Sequence, residues 1–296
     1  MAIRGPLQRT AASAVVGFGA GATLGLVGWG GAQIIIPSLT SPAVLGLSQL
    51  AATGVSLSSL SCAVVVGAAR FTSADLADVS MAAAIALPSM LGARIGSKLS
   101  ARLNGEVHAL IFNGLSVLLL PTNFLVQRFR QQQLESRRTA EEAADAKICD
   151  SSSSPQSMTS ANLLQHGCWG LSSGVLAAVM GVGGLPITMS YLTLASDLPH
   201  HLIQGTAMLS VAPAVVTSAA SHAISGATPL GTAAAVAAGA MVGSVAGSSV
   251  ALALSDEQLR GLYMASLLLL GGRSFVGATR NVSRILAARR SGGGGG

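Results

Sequence analysis

The sequence predicts an all-α fold: a polytopic transmembrane helical bundle of two homologous four-span repeats, with broken first helices in each repeat. Two observations predict it. Hydrophobic residues make up 50% of the 296 positions and charged residues only 9%, well below the roughly 25% charge of soluble domains. The motif Gly28-Trp29-Gly30-Gly31 also returns as Gly181-Val182-Gly183-Gly184, an offset of 153 residues from position 28 to position 181 that Leu39 and Leu192 keep. The chain therefore contains an internal duplication within apolar sequence.

Apolar runs between charged and turn residues predict eight membrane spans. No Asp, Glu, Lys or Arg occurs from Thr10 to Ala69 or from Leu198 to Ser255, so each of these runs can supply two spans. The predicted spans cover about residues 12–36, 43–69, 76–98, 107–127, 163–193, 202–224, 230–253 and 259–279. They divide the chain into a first repeat (1–127), a soluble linker (128–160), a second repeat (161–280) and a basic, Gly-rich tail (281–296).

The first and fifth spans are long and rich in glycine, and each contains a proline, Pro37 or Pro186, near the double-glycine motif. We expect a helix to break at these places. A half-helix that starts after exposed glycine amides directs the positive end of its dipole at the gap, which suits an anion. Uncovered backbone is tolerated in a bilayer only in a cavity or within protein, so two breaks predict a shared site. Alternatively, the glycines only allow tight helix packing.

A second paired pattern, Gly92 with Gly96 and Gly243 with Gly247, is a small-xxx-small signature. It predicts faces at which two helices approach closely. Here the offset from Gly92 to Gly243 is 151 residues, so the duplication continues with a small deletion.

The candidate substrate-binding residues are the motif glycines, nearby polar side chains and two arginines inside or at the edge of spans. They are Gly28, Gly30, Gly31, Gln33, Thr53, Gly181, Gly183, Gly184, Thr206, Arg94 and Arg273. The hydroxyl and amide groups can bind the oxygens of an oxyanion, or they can bond their own backbone or a neighbouring helix. An intramembrane charge is a functional candidate, although both arginines could instead extend to the membrane interface.

Other function classes find little support. The three cysteines, Cys62, Cys149 and Cys168, lack metal-ligand spacing, so we predict no metal and no cofactor. No nucleophile-elbow, zinc-protease or phosphate-loop motif is present, and we predict no enzyme activity. The basic residues lie mainly in the tails and linker, where membrane topology explains them better than a nucleic-acid partner does.

If every span crosses, four spans return the chain to its starting side. The amino end, the linker and the carboxyl tail would then share one compartment, and most basic residues would lie there. The positive-inside rule places that side in the cytosol, or in the matrix or stroma of an organelle. We expect a multi-pass protein of the plasma membrane or an organelle membrane.

At these motifs the chain resembles the sulfite exporter TauE/SafE family of membrane permeases. The resemblance rests on Gly28-x-Gly30-Gly31 with Pro37-x-Leu39, on Gly181-x-Gly183-Gly184 and on Gly205-Thr206. It covers nearly all of the chain outside the linker and tails. It implies two similar halves that move sulfite, sulfoacetate or another small organosulfur or organic anion.

The chain departs from this family pattern in two respects. Ala32 and Leu185 stand where the family usually has a third glycine, and Ser190 stands at the position that matches Pro37. The identity of the anion is therefore not carried over.

Two functions of different class follow. The first is a transporter, most simply an exporter, of a small anion by alternating access between the repeats, with that anion and the lipid bilayer as its partners. The second is a membrane scaffold or assembly protein that keeps the duplicated fold without transport. A transporter is stabilised by sulfite or a small sulfonate, because a ligand that binds only the folded state raises its stability. A scaffold is not.

Overall fold

The computed structural model describes residues 5–28, 31–144, 160–196 and 198–269, and all regular structure within these ranges is helical. The elements are α1 (Pro6–Val27), α2 (Gly31–Thr40), α3 (Gln49–Ser73), α4 (Val79–Ser100), α5 (Gly105–Ala144), α6 (Ser160–Met180), α7 (Leu185–Ala195), α8 (His200–Ile224), α9 (Leu230–Ala253) and α10 (residues 256–269). The predicted all-α class is confirmed. Six of these helices, α1, α3, α4, α5, α8 and α9, have the length and apolar composition to cross a membrane.

The helices break at glycines with left-handed backbone. α1 ends at Gly28, whose φ is +77°, and α7 follows Gly184, whose φ is +75°. Only glycine adopts this region without strain, so the motif glycines themselves end one helix and start the next. Pro37 lies inside α2 and breaks nothing, so its predicted role is wrong, whereas Pro186 occupies the first turn of α7, where proline fits.

The short helices α2 and α7 fold back along the helices that precede them. The Ser173 hydroxyl of α6 and the Thr188 hydroxyl of α7 lie 3.0 Å apart. A Cβ atom placed on Gly31, the first residue of α2, would lie 3.2 Å from the carbonyl oxygen of Ala20 in α1. Each broken span is therefore an antiparallel helical hairpin, α1–α2 or α6–α7.

Glycine lets α1 and α9 touch backbone to backbone. A Cβ atom on Gly17 would collide with the carbonyl of Val236, and one on Gly21 with the carbonyl of Ala240. The residue numbers of the contacting pairs increase together along α1 and α9, so the two helices run in the same direction. Their close approach supplies dispersion contacts where lipid offers no hydrophobic driving force.

The same arrangement joins α4 to α6. A Cβ atom on Gly92 would collide with the carbonyl of Leu171, and one on Gly174 with the carbonyl of Ser89. These helices are also parallel to each other. The predicted packing role of Gly92 is confirmed, as is that of Gly243, which approaches α1 in the same way.

The two most buried spans, α3 and α8, form the centre and run in opposite directions. Gly205 near the start of α8 lies against Phe71 near the end of α3, and Met208 lies against Gly67. The Ser244 hydroxyl of α9 donates to the Ala63 carbonyl of α3 at 2.7 Å. Thus α1, α3 and α9 run one way, and α4, α6 and α8 run the other. We call the end at which α1 begins the amino face and the opposite end the linker face.

The helix α5 carries the chain to the linker face. Its His108 ring bonds the Val179 carbonyl at the amino-face end of α6. Further along α5, Arg130 bonds the carbonyls of Thr193 and Ser196 at the end of α7, which lies at the linker face. This helix direction does not agree with the expectation that the amino end and the linker share a compartment. Each predicted first span is a hairpin within the described residues, so α3, α4 and α5 are the three helices of the first half that run from one face to the other.

Candidate functional site

The two hairpins interlock at their glycine breaks. A Cβ atom on Gly28 would lie 2.7 Å from the Met189 sulfur of α7, and one on Gly181 would lie 3.2 Å from the Ile36 side chain of α2. Met189 is the counterpart of Ile36 at the offset of 153 residues. Each break thus rests on the returning helix of the other hairpin.

Side chains from the central helices complete the backbone hydrogen bonding at both breaks. The Gln204 amide of α8 donates to the Gly25 carbonyl at 3.1 Å, and the Ser56 hydroxyl of α3 donates to the Gly181 carbonyl at 2.9 Å. The last carbonyls of a helix have no partner within it, and leaving them bare in a membrane costs several kcal/mol each. α8 therefore holds the first break in place, and α3 holds the second.

The short helices begin near the middle of the bundle. Gly31 opens α2 against Leu60, which is close to the midpoint of α3, and Gly183 precedes α7 opposite Val215, which is close to the midpoint of α8. No side chain caps the first turn of α7, whose N-cap residue is Gly184. The positive end of its dipole is directed into the protein interior.

Packing at the breaks is tight. A Cβ atom would lie 2.6 Å from Leu60 at Gly31, 2.9 Å from Thr53 at Gly181 and 2.9 Å from Ser173 at Gly184. At Gly183 the nearest atom, of Val215, would be 3.4 Å away, an ordinary contact. In this conformation the breaks are closed by side chains, with the most room at Gly183.

The polar candidates divide into two groups. The Gln33 amide donates to the Ser116 hydroxyl at 2.9 Å, and the Thr206 hydroxyl accepts from the Asp78 amide at 2.9 Å, so both have partners inside the protein. Thr53 is fully buried beside Gly181, and within the described part of the chain its hydroxyl has no hydrogen-bond partner. A buried hydroxyl without a partner is unusual and costs free energy.

The remaining candidates lie elsewhere. Arg94 lines a cavity of about 390 Å³ between the C-terminal parts of α4 and α8 at the amino face. Gly30 and Arg273 lie outside the described residues.

Sequence reasoning missed a polar stripe on α5. Asn123, Gln127 and Arg130 are buried although the sequence assigned residue 130 to a soluble linker. Arg130 donates to the Thr193 carbonyl at 3.1 Å and to the Ser196 carbonyl at 2.6 Å, at the end of α7. The spacing of these residues, i, i+4 and i+7, is that of one helix face, and this signal could have found them.

Asp256 organises the start of α8 at the linker face. Its carboxylate accepts from the backbone amides of His200 at 2.8 Å and His201 at 3.0 Å, and it lies 2.7 Å from the His201 ring. Burial opposes ionisation, but these hydrogen bonds outweigh it and hold the pKa of Asp256 below its usual value. The adjacent histidines thus serve the start of a helix. Within the described ranges, no three His, Cys, Asp or Glu side chains are grouped to hold a metal ion.

Comparison with known protein families gives one match of broad extent. The family model described as "Sulfite exporter TauE/SafE" matches residues 13–274, which include both hairpins and the central helices. No curated protein and no solved structure gives a match.

Proposed function

Because the chain belongs to the sulfite exporter TauE/SafE family, we propose that it exports a small anion by alternating access between two inverted repeats. The family makes it an integral, multi-pass membrane transporter of the sulfite-exporter type and not an enzyme. The proposed substrate is sulfite, sulfoacetate or another small organosulfur or organic anion.

The pairing of helices supports the repeat arrangement. α1 packs along α9 and α4 packs along α6, so the first helix of each half pairs with the corresponding later helix of the other half. The central helices α3 and α8 also correspond and run in opposite directions. Such a relation is that of inverted repeats about an axis in the membrane plane, an arrangement common in secondary transporters. We propose residues 1–127 and 161–280 as these repeats.

One observation carries the proposed substrate site: each break contacts the returning helix of the other hairpin, and both returning helices begin near the centre of the bundle. In transporters the start of a half-helix faces anionic substrate groups. We propose that the anion binds at the amides of Gly30, Gly31, Gly183 and Gly184, with the unpartnered Thr53 hydroxyl as a further donor. The closed packing then corresponds to a state without substrate, and access from either face requires one hairpin to move against the other.

Charge indicates the orientation. Near the amino face lie Arg9, Arg94, Lys98 and Arg102 with the acid Glu106. The linker face also has cations, Arg70, Arg128, Arg130 and Arg260, but its loops 74–78 and 254–257 contain only acidic charged residues. By the positive-inside rule we propose that the amino face and both termini lie in the cytosol, matrix or stroma. A negative charge moving outward gains about 2.3 kcal/mol per 100 mV, so export by uniport is sufficient.

A matched pair of threonines tests the site. Thr53→Val removes a hydroxyl that has no partner, so the melting temperature is expected to stay unchanged. Sulfite uptake into proteoliposomes is expected to fall by about tenfold, the loss of one hydrogen bond to a charged ligand. Thr206→Val removes the acceptor of the Asp78 amide, so it is expected to lower the melting temperature and leave transport per folded molecule intact.

Normal sulfite transport by the Thr53→Val variant would show that the Thr53 hydroxyl does not contact the substrate. A second candidate function, a membrane scaffold, is favoured by the tight packing at Gly31 and Gly184. It predicts that sulfite neither raises the melting temperature of the purified protein nor crosses the membrane with it.

A further inference from the structure

A cavity of about 390 Å³ lies between the C-terminal parts of α4 and α8 at the amino face. Its polar lining consists of Arg94, Ser97 and Lys98 from α4 and of Ser221, His222 and Ser225 from α8. We call this space the amino-face vestibule. It has the volume to hold a small oxyanion with several waters.

The vestibule contains positive charge without compensation. Arg94 and Lys98 stand one turn apart on the same face of α4, and neither has an ion-pair partner among the described residues. Among the described residues, no carboxylate lines the space. Like charges at this spacing repel each other, so an anion between them relieves the repulsion.

Two buried polar atoms in the lining also lack partners. The Ser97 hydroxyl and the Nε2 atom of His222 belong to side chains that are 5% and 2% exposed, and neither forms a hydrogen bond with a described residue. Both residues line the vestibule. Unpartnered polar groups beside a cavity indicate a polar occupant.

The fold does not require these charges. At the offset of 151 residues, Arg94 corresponds to Val245 and Lys98 to Ser249. In the equivalent α3–α9 region neither of these positions is charged, and the Ser249 hydroxyl instead accepts a hydrogen bond from Arg70 of α3 at 2.9 Å. Two cations one turn apart on the same helix are therefore specific to the amino-face region.

The inner wall of the vestibule contacts the second break. The His222 ring lies near the Ala178 carbonyl, and the neighbouring His108 ring bonds the Val179 carbonyl. These two carbonyls belong to the last turn of α6, directly before Gly181. The vestibule thus adjoins the last turn of α6, which leads into the second break.

We propose that the amino-face vestibule binds a small oxyanion from solution and supplies it to the second break. The binding step stands on the lining alone, whereas the supply step rests on the proposed transport function. Arg94 and Lys98 provide the charge, and the Ser97 hydroxyl donates a hydrogen bond.

A thiol placed in the lining reports on the vestibule directly. Ser225→Cys is made in full-length protein whose native cysteines, Cys62, Cys149 and Cys168, are replaced by serine, in phosphatidylcholine nanodiscs. Alkylation by anionic iodoacetate is compared with alkylation by neutral iodoacetamide, with and without methanesulfonate. We expect iodoacetate to be favoured by about tenfold relative to a free thiol, the lower end of electrostatic steering. We expect methanesulfonate to slow both reactions.

The controls are matched. Arg94→Gln with Lys98→Gln is expected to abolish both effects, and Arg102→Gln, a cation of the same face outside the lining, to leave them intact. Protection that persists without Arg94 and Lys98, or no protection in the parent protein, overturns the proposal.

Two further measurements distinguish a lipid headgroup from a soluble anion, and the vestibule from the proposed substrate site. If the cations instead bind a lipid headgroup, protection of the introduced thiol appears only after phosphatidylglycerol is added to the nanodiscs, and the assignment to a soluble anion is then wrong. The Thr53→Val variant is expected to retain vestibule protection. If the proposed substrate site is wrong, only the transport result differs from expectation. If the proposed vestibule is wrong, the alkylation result differs from expectation.

Discussion

At the residue scale, the glycines have two structural roles that the sequence alone does not distinguish. Gly28 and Gly181 adopt left-handed backbone at breaks, whereas Gly21 and Gly174 only make room for a neighbouring backbone. The breaks were predictable because the motif occurs twice. The partners of Gln33 and Thr206 were not, because their hydrogen bonds join residues far apart in sequence.

The packing role of glycine can be tested on one helix. Gly21→Ala places a methyl against the Ala240 carbonyl, so we expect a loss of about 1–3 kcal/mol from overpacking. Gly19→Ala meets no atom within 4 Å, and we expect a gain of up to about 1 kcal/mol from helix propensity. Thermal unfolding in nanodiscs measures both. Equal melting temperatures for the two variants would contradict the contact between α1 and α9.

At the scale of elements, the hairpins depend on contacts from α3, α5 and α8. The sequence predicted where the helices break but not that α2 and α7 fold back, because an apolar stretch of this length fits a single crossing as well as a hairpin. It also ended the fourth span at residue 127, where charges begin. α5 extends to Ala144, and its buried Gln127 and Arg130, at or beyond the predicted end of the span, have partners on α7.

Arg130 fixes the end of α7. Arg130→Gln removes charge-assisted hydrogen bonds to buried carbonyls, each worth about 1.5–3 kcal/mol. We expect a lower melting temperature and faster amide exchange in residues 190–198. Arg128→Gln is the control, because Arg128 is exposed and lies over the Phe124 ring at 5.5 Å. Unchanged exchange in the Arg130 variant would show that α7 is held by other contacts.

Asp256 makes the start of α8 sensitive to acid. Since its folded-state pKa lies below the ordinary value, its contribution to stability is complete above about pH 4 and is lost as the pH falls through the folded-state pKa. We expect the difference in melting temperature between the parent protein and Asp256→Asn to be constant from neutral pH down to about 4 and to narrow below it. A difference that widens on acidification would contradict the hydrogen bonds at the carboxylate.

At the scale of the whole molecule, opposite helix directions set the topology. The sequence predicted a duplicated transmembrane bundle, and the helical class and the breaks agree with it. Charge counting failed to place the linker, because it treated each hairpin as one crossing. The parallel directions of α1 and α9, opposite to those of α4 and α6, support a linker on the face opposite the amino end.

This topology predicts from which side of the membrane a protease can cleave inserted epitopes. An epitope inserted between Asp150 and Ser151 is expected on the membrane side opposite an amino-terminal epitope, because α5 and α6 meet the linker at the linker face. Protease protection in sealed vesicles of one orientation measures this. Cleavage of both epitopes from the same side would contradict the fold.

Sulfite flux in proteoliposomes at a clamped membrane potential tests anion transport most directly. We predict flux above that of empty vesicles, which reverses direction with the sign of the potential and falls about tenfold in Thr53→Val at an unchanged melting temperature. Sulfite flux no greater than in empty vesicles at either potential, from protein shown to be folded, would contradict it.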